Sequence, residues 1–249
     1  LARENFGAAV RTAAQLVARL YRRWDYLAAQ RVDQFIAIST EVQARIKRIY
    51  DRNSFIIYPP VEAAERFTPA PSHDDYFLVL SRLVPYKRID LAVEACTRLD
   101  LPLLVGGTGR DRERLEAMAG PTVKFLDYVP DGDLPDLFAR CRAFIFPGLE
   151  DFGIVPVQAM AAGRPVIAYR GGGSLDTVIP GKTGAFFEAQ TVESLMDTLQ
   201  AFDERAYDPI TIRAYALRFD TSNFTEQITN AVSRAWETRH TANRSPAVR

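Results

Sequence analysis

The sequence predicts an α/β fold built on a doubly wound parallel sheet, and two observations predict it. From residue 76 onward, short apolar segments of strand length alternate with segments of helical periodicity. That alternation implies parallel pairing with right-handed crossovers. Each glycine-rich or charged motif then falls at the carboxyl end of a strand candidate, where open α/β sheets bind their ligands.

In chain order, residues 8–30 carry a helical pattern whose apolar stripe is Val10, Leu16, Val17, Leu20, Trp24 and Leu27. Arg11, Arg19, Arg22, Arg23 and Arg31 give that helix a basic face. Such a face suits anionic lipid headgroups, and suits equally the solvated side of a surface helix. Residues 35–38 read as a short buried strand, with Ser39 or Thr40 capping a helix that runs to about Tyr50. Residues 55–58 form a second short strand, stopped by Pro59 and Pro60. The stretch 61–75 carries Pro69 and Pro71 and reads as an interdomain linker. Beyond it, strands are expected at 76–80, 102–105, 123–126, 143–146, 165–169 and 185–187, with helices at 89–98, 111–118, 133–140, 156–162 and 174–178. Helices at 192–202, 209–219 and 221–236 close the chain, and 239–249 reads as a disordered tail.

Composition narrows the function classes. The chain has 249 residues, 47% hydrophobic and 25% charged, a globular balance that fits one large or two small domains. A formal net charge of +0 gives no electrostatic reason for a nucleic-acid partner. The two cysteines, Cys96 and Cys141, lie in apolar stretches without metal-ligand spacing, which points to a reducing compartment. With His73 and His240 the only histidines, the sequence argues against a His-based metal site or a Ser-His-Asp triad. No apolar run approaches the ~20 residues of a membrane span, and no secretory leader is visible. The first residues have mid-helix composition, so the chain reads as a fragment whose upstream part is missing.

The chemistry concentrates at 146–168. An apolar strand is followed by Gly148, Glu150 and Phe152-Gly153, then by a helix with Pro156 in its first turn, where a missing N–H costs nothing. The N–H groups near Gly153, Ile154 and Val155 leave such a helix start unpaired and form a ready anion site. Glu150, just ahead, can accept hydrogen bonds from neutral hydroxyls. An anion cradle beside a hydroxyl-reading carboxylate suits a sugar nucleotide.

This run resembles the donor-site signature of the GT4 family of retaining glycosyltransferases, which have the GT-B fold. The family signature is a glutamate, seven residues and a second glutamate, around a Phe-Gly and a Glu-Ala-Met-Ala core. Here the first is Glu150, and Gln158 stands where the second is usual. The resemblance implies that Glu150 contacts donor-sugar hydroxyls and that position 158 holds the ribose. An amide there keeps hydrogen bonding but loses the charge-assisted strength of a carboxylate. Residues 24–39 resemble the last helix and strand of an acceptor domain, 76–219 the whole donor domain, and 223–236 the helix that crosses back. The implied organisation is an acceptor-domain remnant at 1–60, a linker at 61–75, a Rossmann-like donor domain at 76–220, a crossing helix at 221–238 and the tail.

Other loops complete the expected site. Arg82 and Lys87 follow the first donor strand; a guanidinium fork and a mobile ammonium suit a pyrophosphate. By resemblance they hold the donor diphosphate and steady the leaving group. Gly106, Gly107 and Gly109 follow the next strand and allow close backbone approach to a phosphate or base. A dinucleotide fingerprint would want glycine at Arg112, while Asp127 lies where a Rossmann fold places its ribose-binding acid. By resemblance, backbone groups around Phe125 and Leu126 line the nucleobase pocket, and Asp127 is either a tuner of base choice or an exposed turn residue. The loop Gly171-Gly172-Gly173-Ser174 is either a plain turn or a ligand contact. Gly181-Lys182-Thr183-Gly184 resembles part of a Walker loop but precedes a strand, so it reads as a turn.

The sequence thus predicts a retaining glycosyltransferase donor half with Glu150, Arg82 and Lys87 as catalytic residues. Gly106, Gly107, Gly109, Phe125, Leu126, Phe152, Gly153, Ile154 and Gln158 bind substrate. No metal and no cofactor are expected, since the nucleotide-diphosphate sugar is the substrate. The 150–157 string and Gln190-Thr191 look most like mannosyltransferases, so GDP-mannose is the first expectation for the donor. The acceptor is expected to be a sugar or lipid-linked, and the location cytoplasmic with peripheral contact at the inner membrane face. Three alternatives stand beside this: a sugar-nucleotide epimerase, a nicotinamide-dependent oxidoreductase, and a non-catalytic nucleotide-sugar binding module.

Overall fold

The computed structural model describes residues 8–242. A first unit comprises α1 (Ala8–Ala29), β1 (Phe35–Ala37), α2 (Thr40–Tyr50) and β2 (Ser54–Ile56), with the two strands paired in parallel. Ser39 caps α2 by accepting from the Val42 N–H at 3.1 Å, and Asp51 in the left-handed region ends it. The apolar stripe of α1 lies open, with Leu16, Leu20 and Trp24 each more than half exposed. Of its basic face, the side chain of Arg11 lies outside the described ones.

The second unit is a six-stranded, all-parallel sheet. Its strands are β3 (Phe77–Leu80), β4 (Leu103–Gly106), β5 (Val123–Phe125), β6 (Ala143–Phe146), β7 (Val166–Tyr169) and β8 (Gly184–Phe187). Their spatial order is β5-β4-β3-β6-β7-β8, the doubly wound order in which the sequence reverses direction between the first and fourth strands of the sheet. Helices α4 (Ile89–Arg98), α5 (Arg112–Met118), α6 (Leu134–Arg140), α7 (Ile154–Ala161) and α8 (Ser174–Thr177) make the crossovers, and with α9 (Val192–Ala201), which follows the last strand, they cover both faces. The strands are continuous apolar runs because successive side chains enter opposite cores. Phe144 and Phe146 join one buried cluster with Leu78, while Ala143 and Ile145 join the other with Phe77 and Val79.

The expected linker does not run free. It contains the short helix α3 (Ala63–Arg66) and is clamped to the second unit by two arginines. Arg164, only 4% exposed, donates to the carbonyls of Ala139 (2.6 Å) and Ser72 (3.2 Å). Arg213, on α10 (Pro209–Ala216), donates to the carbonyls of Ala161, Phe67 and Ala64. Carbonyl oxygens satisfy these guanidinium donors where carboxylates would otherwise be needed. The Asp220 carboxylate accepts from the Ala64 N–H at 2.9 Å, and Val61 N–H donates to Phe219 at 2.9 Å. The chain therefore passes between the units at two adjacent points, near Val61 and near Asp220. Helix α11 (Thr221–Ala242) continues past residue 238, so 239–242 are helical where a tail was expected. The rest of that expected tail, 243–249, lies outside the described residues.

Both thiols are completely buried, and burial pushes Cys96 and Cys141 each up to about 12. The folded state thus holds the neutral thiols. Their contribution to stability is fully present below the unfolded thiol value of ~8.5, and is lost as pH rises from there toward the folded value. Iodoacetamide at pH 8 is expected to leave the folded protein unlabelled and to modify both cysteines in denaturant. Mass spectrometry checks this, and rapid labelling of either thiol without denaturant would contradict the packing.

Candidate functional site

The reversal of strand order opens a crevice between the carboxyl ends of β3 and β6, and the two loops that leave those strands build the site. After β3 the chain runs through Ser81 and Arg82 into a single 3₁₀ turn (Pro85–Lys87), and Arg88 in the left-handed region starts α4. After β6 it runs from Pro147 to Gly153 and enters α7. The two loops touch. A Cβ on Gly148 would sit 3.1 Å from the Lys87 carbonyl, and the Lys87 ammonium pairs with the Glu150 carboxylate. Both partners are largely shielded, at 15% and 25% side-chain exposure.

Arg82 projects from the same edge. Its guanidinium donates to the Tyr86 hydroxyl at 2.9 Å and, among the described residues, forms no ion pair. Lys87 lies over the Tyr86 ring, 5.4 Å from its centroid. The helix start at Gly153 follows Glu150, the partner of Lys87, in the same loop. Gly153 has φ +90°, and a Cβ there would lie 2.9 Å from the Phe146 ring, so glycine is required at this cap. Lys87 and Glu150 are thus brought into contact, Arg82 stands beside Lys87 through Tyr86, and Gly153 and Ile154 follow Glu150 where the same loop enters α7. A guanidinium without an ion pair among the described residues, a shared ammonium and a nearby helix start beside one carboxylate are an arrangement able to hold an anion beside hydroxyls.

Other expected residues have a different surrounding. Phe152 is 3% exposed and packs on Tyr58 (5.7 Å) and Phe219 (5.7 Å), where the chain passes between the units. Its ring faces this aromatic cluster. Gly107 and Gly109 pack on the loop that carries Arg82: added Cβ atoms would lie 1.9 Å from the Ser81 carbonyl and 2.2 Å from the Leu83 carbonyl. Gly106 likewise abuts Leu80. These glycines let the two loops nest, which fixes the height of Arg82. Phe125 carries the Arg112 guanidinium 4.9 Å above its ring, and Leu126 lines a groove of ≈ 700 Å³ beside α6. Arg112 donates to Asp127 at 2.6 Å, so the residue that breaks the dinucleotide fingerprint also occupies the acid that would serve it. Gln158 is half-buried on α7, and its amide makes no hydrogen bond among the described residues.

The triple-glycine loop supports the acidic loop from below. The Gly173 N–H donates to the Glu150 carbonyl at 2.8 Å, and a Cβ on Gly173 would fall 2.2 Å from the Phe152 Cα. From the far sheet edge, Gln190 donates to the Pro147 carbonyl at 2.8 Å. Sequence reasoning missed the role of Asp151, which receives a two-point bond from Arg45 of α2 at 3.0 and 2.7 Å. It also missed Asp176, which accepts from the Thr40 N–H at 2.8 Å. Asp151 was visible inside the motif, but nothing in the sequence connects it with a residue on α2.

A family model described as glycosyl transferases group 1 matches residues 61–206, more than half of the chain. The chain belongs to this family. Among relatives, a GDP-mannose-dependent alpha-(1-6)-phosphatidylinositol monomannoside mannosyltransferase of Mycolicibacterium smegmatis is 32% identical over 167 residues, covering 55% of this chain and 44% of that one. A GDP-mannose-dependent monoacylated alpha-(1-6)-phosphatidylinositol monomannoside mannosyltransferase of Corynebacterium glutamicum is 32% identical over 199 residues, covering 68% and 52%. Among solved structures, a sucrose-phosphate synthase of Thermosynechococcus elongatus superposes with a TM-score of 0.79 at 22% identity, covering 88% of this chain and 62% of that one. The Anabaena HepE protein in complex with UDP-glucose gives 0.74 at 23%, covering 86% and 67%. The GT-B fold expected from the sequence is the fold observed. The chain spans about half the length of the curated relatives it matches.

Gly173→Ala tests the support beneath the glycosyl transferase's acidic loop. Backbone must move to admit the methyl group, and overpacking of this kind costs about 1–3 kcal/mol. A clear fall in melting temperature is expected, whereas Gly181→Ala, with nothing within 4 Å of its Cβ, should be affected only through its φ of +73°. Thermal melts of the two variants check the difference.

Proposed function

We propose that this chain is the donor half of a retaining glycosyltransferase that moves mannose from GDP-mannose to a sugar or lipid-linked acceptor. The observation that carries this reading is the meeting of Arg82, Lys87 and the α7 start with Glu150 at the strand-order reversal. Arg82 and Lys87 hold the diphosphate and stabilise the charge that develops on it as the glycosidic bond breaks, a preorganised electrostatic role. Donor binding needs no metal, because fixed cations meet the phosphates. Glu150, released in part from Lys87, accepts from hydroxyls of the sugar. Gln158 reaches the ribose with one acceptor oxygen and one donor nitrogen.

The names of the mannosyltransferase relatives support the GDP-mannose assignment and a lipid-linked acceptor. The open apolar stripe and the arginines of α1 support a peripheral seat at the inner, cytoplasmic face of a membrane, where acceptor lipid is within reach. No described helix is long and apolar enough to cross a membrane. The amide of Gln158 favours a second reading, a module that binds donor without transferring it. Donor turnover in the presence of candidate acceptors separates the two.

Calorimetric titration with GDP-mannose, GDP and guanosine tests the first reading. Arg82→Ala is expected to weaken binding of both diphosphates by roughly 1.5–3 kcal/mol and to leave guanosine unchanged, with or without EDTA. Equal losses for all three ligands would make Arg82 structural, and binding abolished by EDTA would make a metal part of the site.

Gln158→Glu is expected to tighten GDP binding by roughly 1 kcal/mol for each charge-assisted bond gained, and to do nothing for 2′,3′-dideoxy-GDP. The two proteins and two ligands form a complete cycle. No change for either ligand would remove the side chain from the ribose, and weaker GDP binding would show a pocket adapted to the amide.

A further inference from the structure

Glu150 and Asp151 are sequence neighbours with opposite attachments. Glu150 pairs with Lys87 inside the second unit. Asp151 is gripped by Arg45, which belongs to the first unit and stands 106 residues away in sequence. The Arg45 fork meets both carboxylate oxygens, at 3.0 and 2.7 Å, the planar two-point geometry that fixes direction as well as distance. The helix that carries Arg45 is tied a second time, where Asp176 accepts from the Thr40 N–H at 2.8 Å at the positive end of α2. Asp176 lies on α8, directly after the glycine loop that supports Glu150. Helix α2 therefore holds the second unit at two points, in the acidic loop at Asp151 and at Asp176 just after the supporting glycine loop. The covalent passages near Val61 and Asp220 lie side by side as an isolated parallel bridge, so side-chain ties such as these help set how the units seat.

We propose that Arg45 is a positioning residue: through Asp151 it holds the Glu150 carboxylate in the orientation that reads the donor sugar, and so couples sugar recognition to the seating of the first unit. The inference rests on the donor-site reading above. The pair is partly exposed, with side-chain exposures of 38% and 46%, so it does little for global stability and its effect is local. A displacement of ~1 Å at a reacting geometry can cost ~10²-fold, which is the scale on which a loosened loop would matter. Of the two cations that hold the diphosphate, Arg82 is outside this linkage and Lys87 touches it through Glu150.

The test uses Arg45→Ala, Arg45→Lys and the charge exchange of Arg45→Asp with Asp151→Arg. Two quantities are read: hydrogen exchange of the nucleotide-free protein over residues 148–153 and at the Gly173 amide, and the ratio of GDP-mannose to GDP affinity by calorimetry. Arg45→Ala is expected to speed exchange at both places and to cut the affinity ratio by about tenfold, well within the ~10²-fold scale above. GDP affinity should change far less than GDP-mannose affinity, because only Lys87 of its two cations touches Glu150, and the melting temperature should stay as in the native protein. Arg45→Lys should fall between, since an ammonium lacks the fork, and the charge exchange should restore both readouts. Unchanged exchange in Arg45→Ala would overturn the inference, as would an equal loss of GDP and GDP-mannose affinity with a lowered melting temperature. A native protein that binds neither nucleotide would instead defeat the donor-site reading, and the exchange measurement alone would then decide whether Arg45 holds the loop.

Discussion

The close approach of the triple-glycine loop to the acidic loop is the contact on which the site depends. Gly173 stands where any side chain would enter the backbone of Phe152, and its N–H holds the Glu150 carbonyl. A loop after a strand is otherwise free to wander, because it has no ladder to satisfy its backbone. Here the Glu150 carbonyl is bound below by Gly173, the Pro147 carbonyl is bound by Gln190, and the Phe152 ring is locked among Tyr58 and Phe219. The Glu150 side chain is left to meet Lys87 at the crevice. Rigidity of the backbone fixes where the Glu150 carboxylate stands.

Charge is arranged around that loop with little surplus. Glu150 and Lys87 satisfy each other, while Arg82 has a tyrosine hydroxyl as partner and no carboxylate. A diphosphate entering the crevice would take Arg82 at no cost in broken ion pairs, and would share Lys87 with Glu150. Sharing matters because a shielded pair is held more strongly than one in open solvent, where such a bridge contributes roughly 0–1 kcal/mol. The same economy explains the second glycine loop. Arg112 and Asp127 neutralise each other at the next strand end, so a feature that resembles a dinucleotide site carries no free acid for a ribose.

The two units are joined by more than a tether. Arg164 and Arg213 tie the 61–75 segment to the second unit through backbone carbonyls, so that segment moves with the sheet. Relative motion is thereby confined to the short passages beside Tyr58 and Asp220, next to the Phe152 cluster. The residue that follows Glu150 by two positions is thus part of the joint. One loop therefore serves both: Phe152 and Asp151 contact the joint, while Glu150 pairs with Lys87 inside the second unit.

Local pattern determined the parallel sheet, the order of its strands and helices, and the acidic loop with its helix start, since apolar periodicity and glycine or proline placement act over a few residues. The same is true of Arg82, Lys87, Glu150 and Gly153, whose motifs lie directly at strand ends, where a doubly wound sheet gathers them. Tertiary structure alone decided what each glycine loop is for: Gly107 and Gly173 look equally suited to a ligand in sequence, and only the distance to Ser81 and Phe152 shows that they serve backbone packing. It alone turned Phe152 toward Tyr58 and paired Arg45 with Asp151, because such contacts depend on how two separately patterned units are brought face to face. Sequence fixes which side chains stand at a strand's end. Their partners across more than a hundred residues are set by packing, which no local pattern encodes.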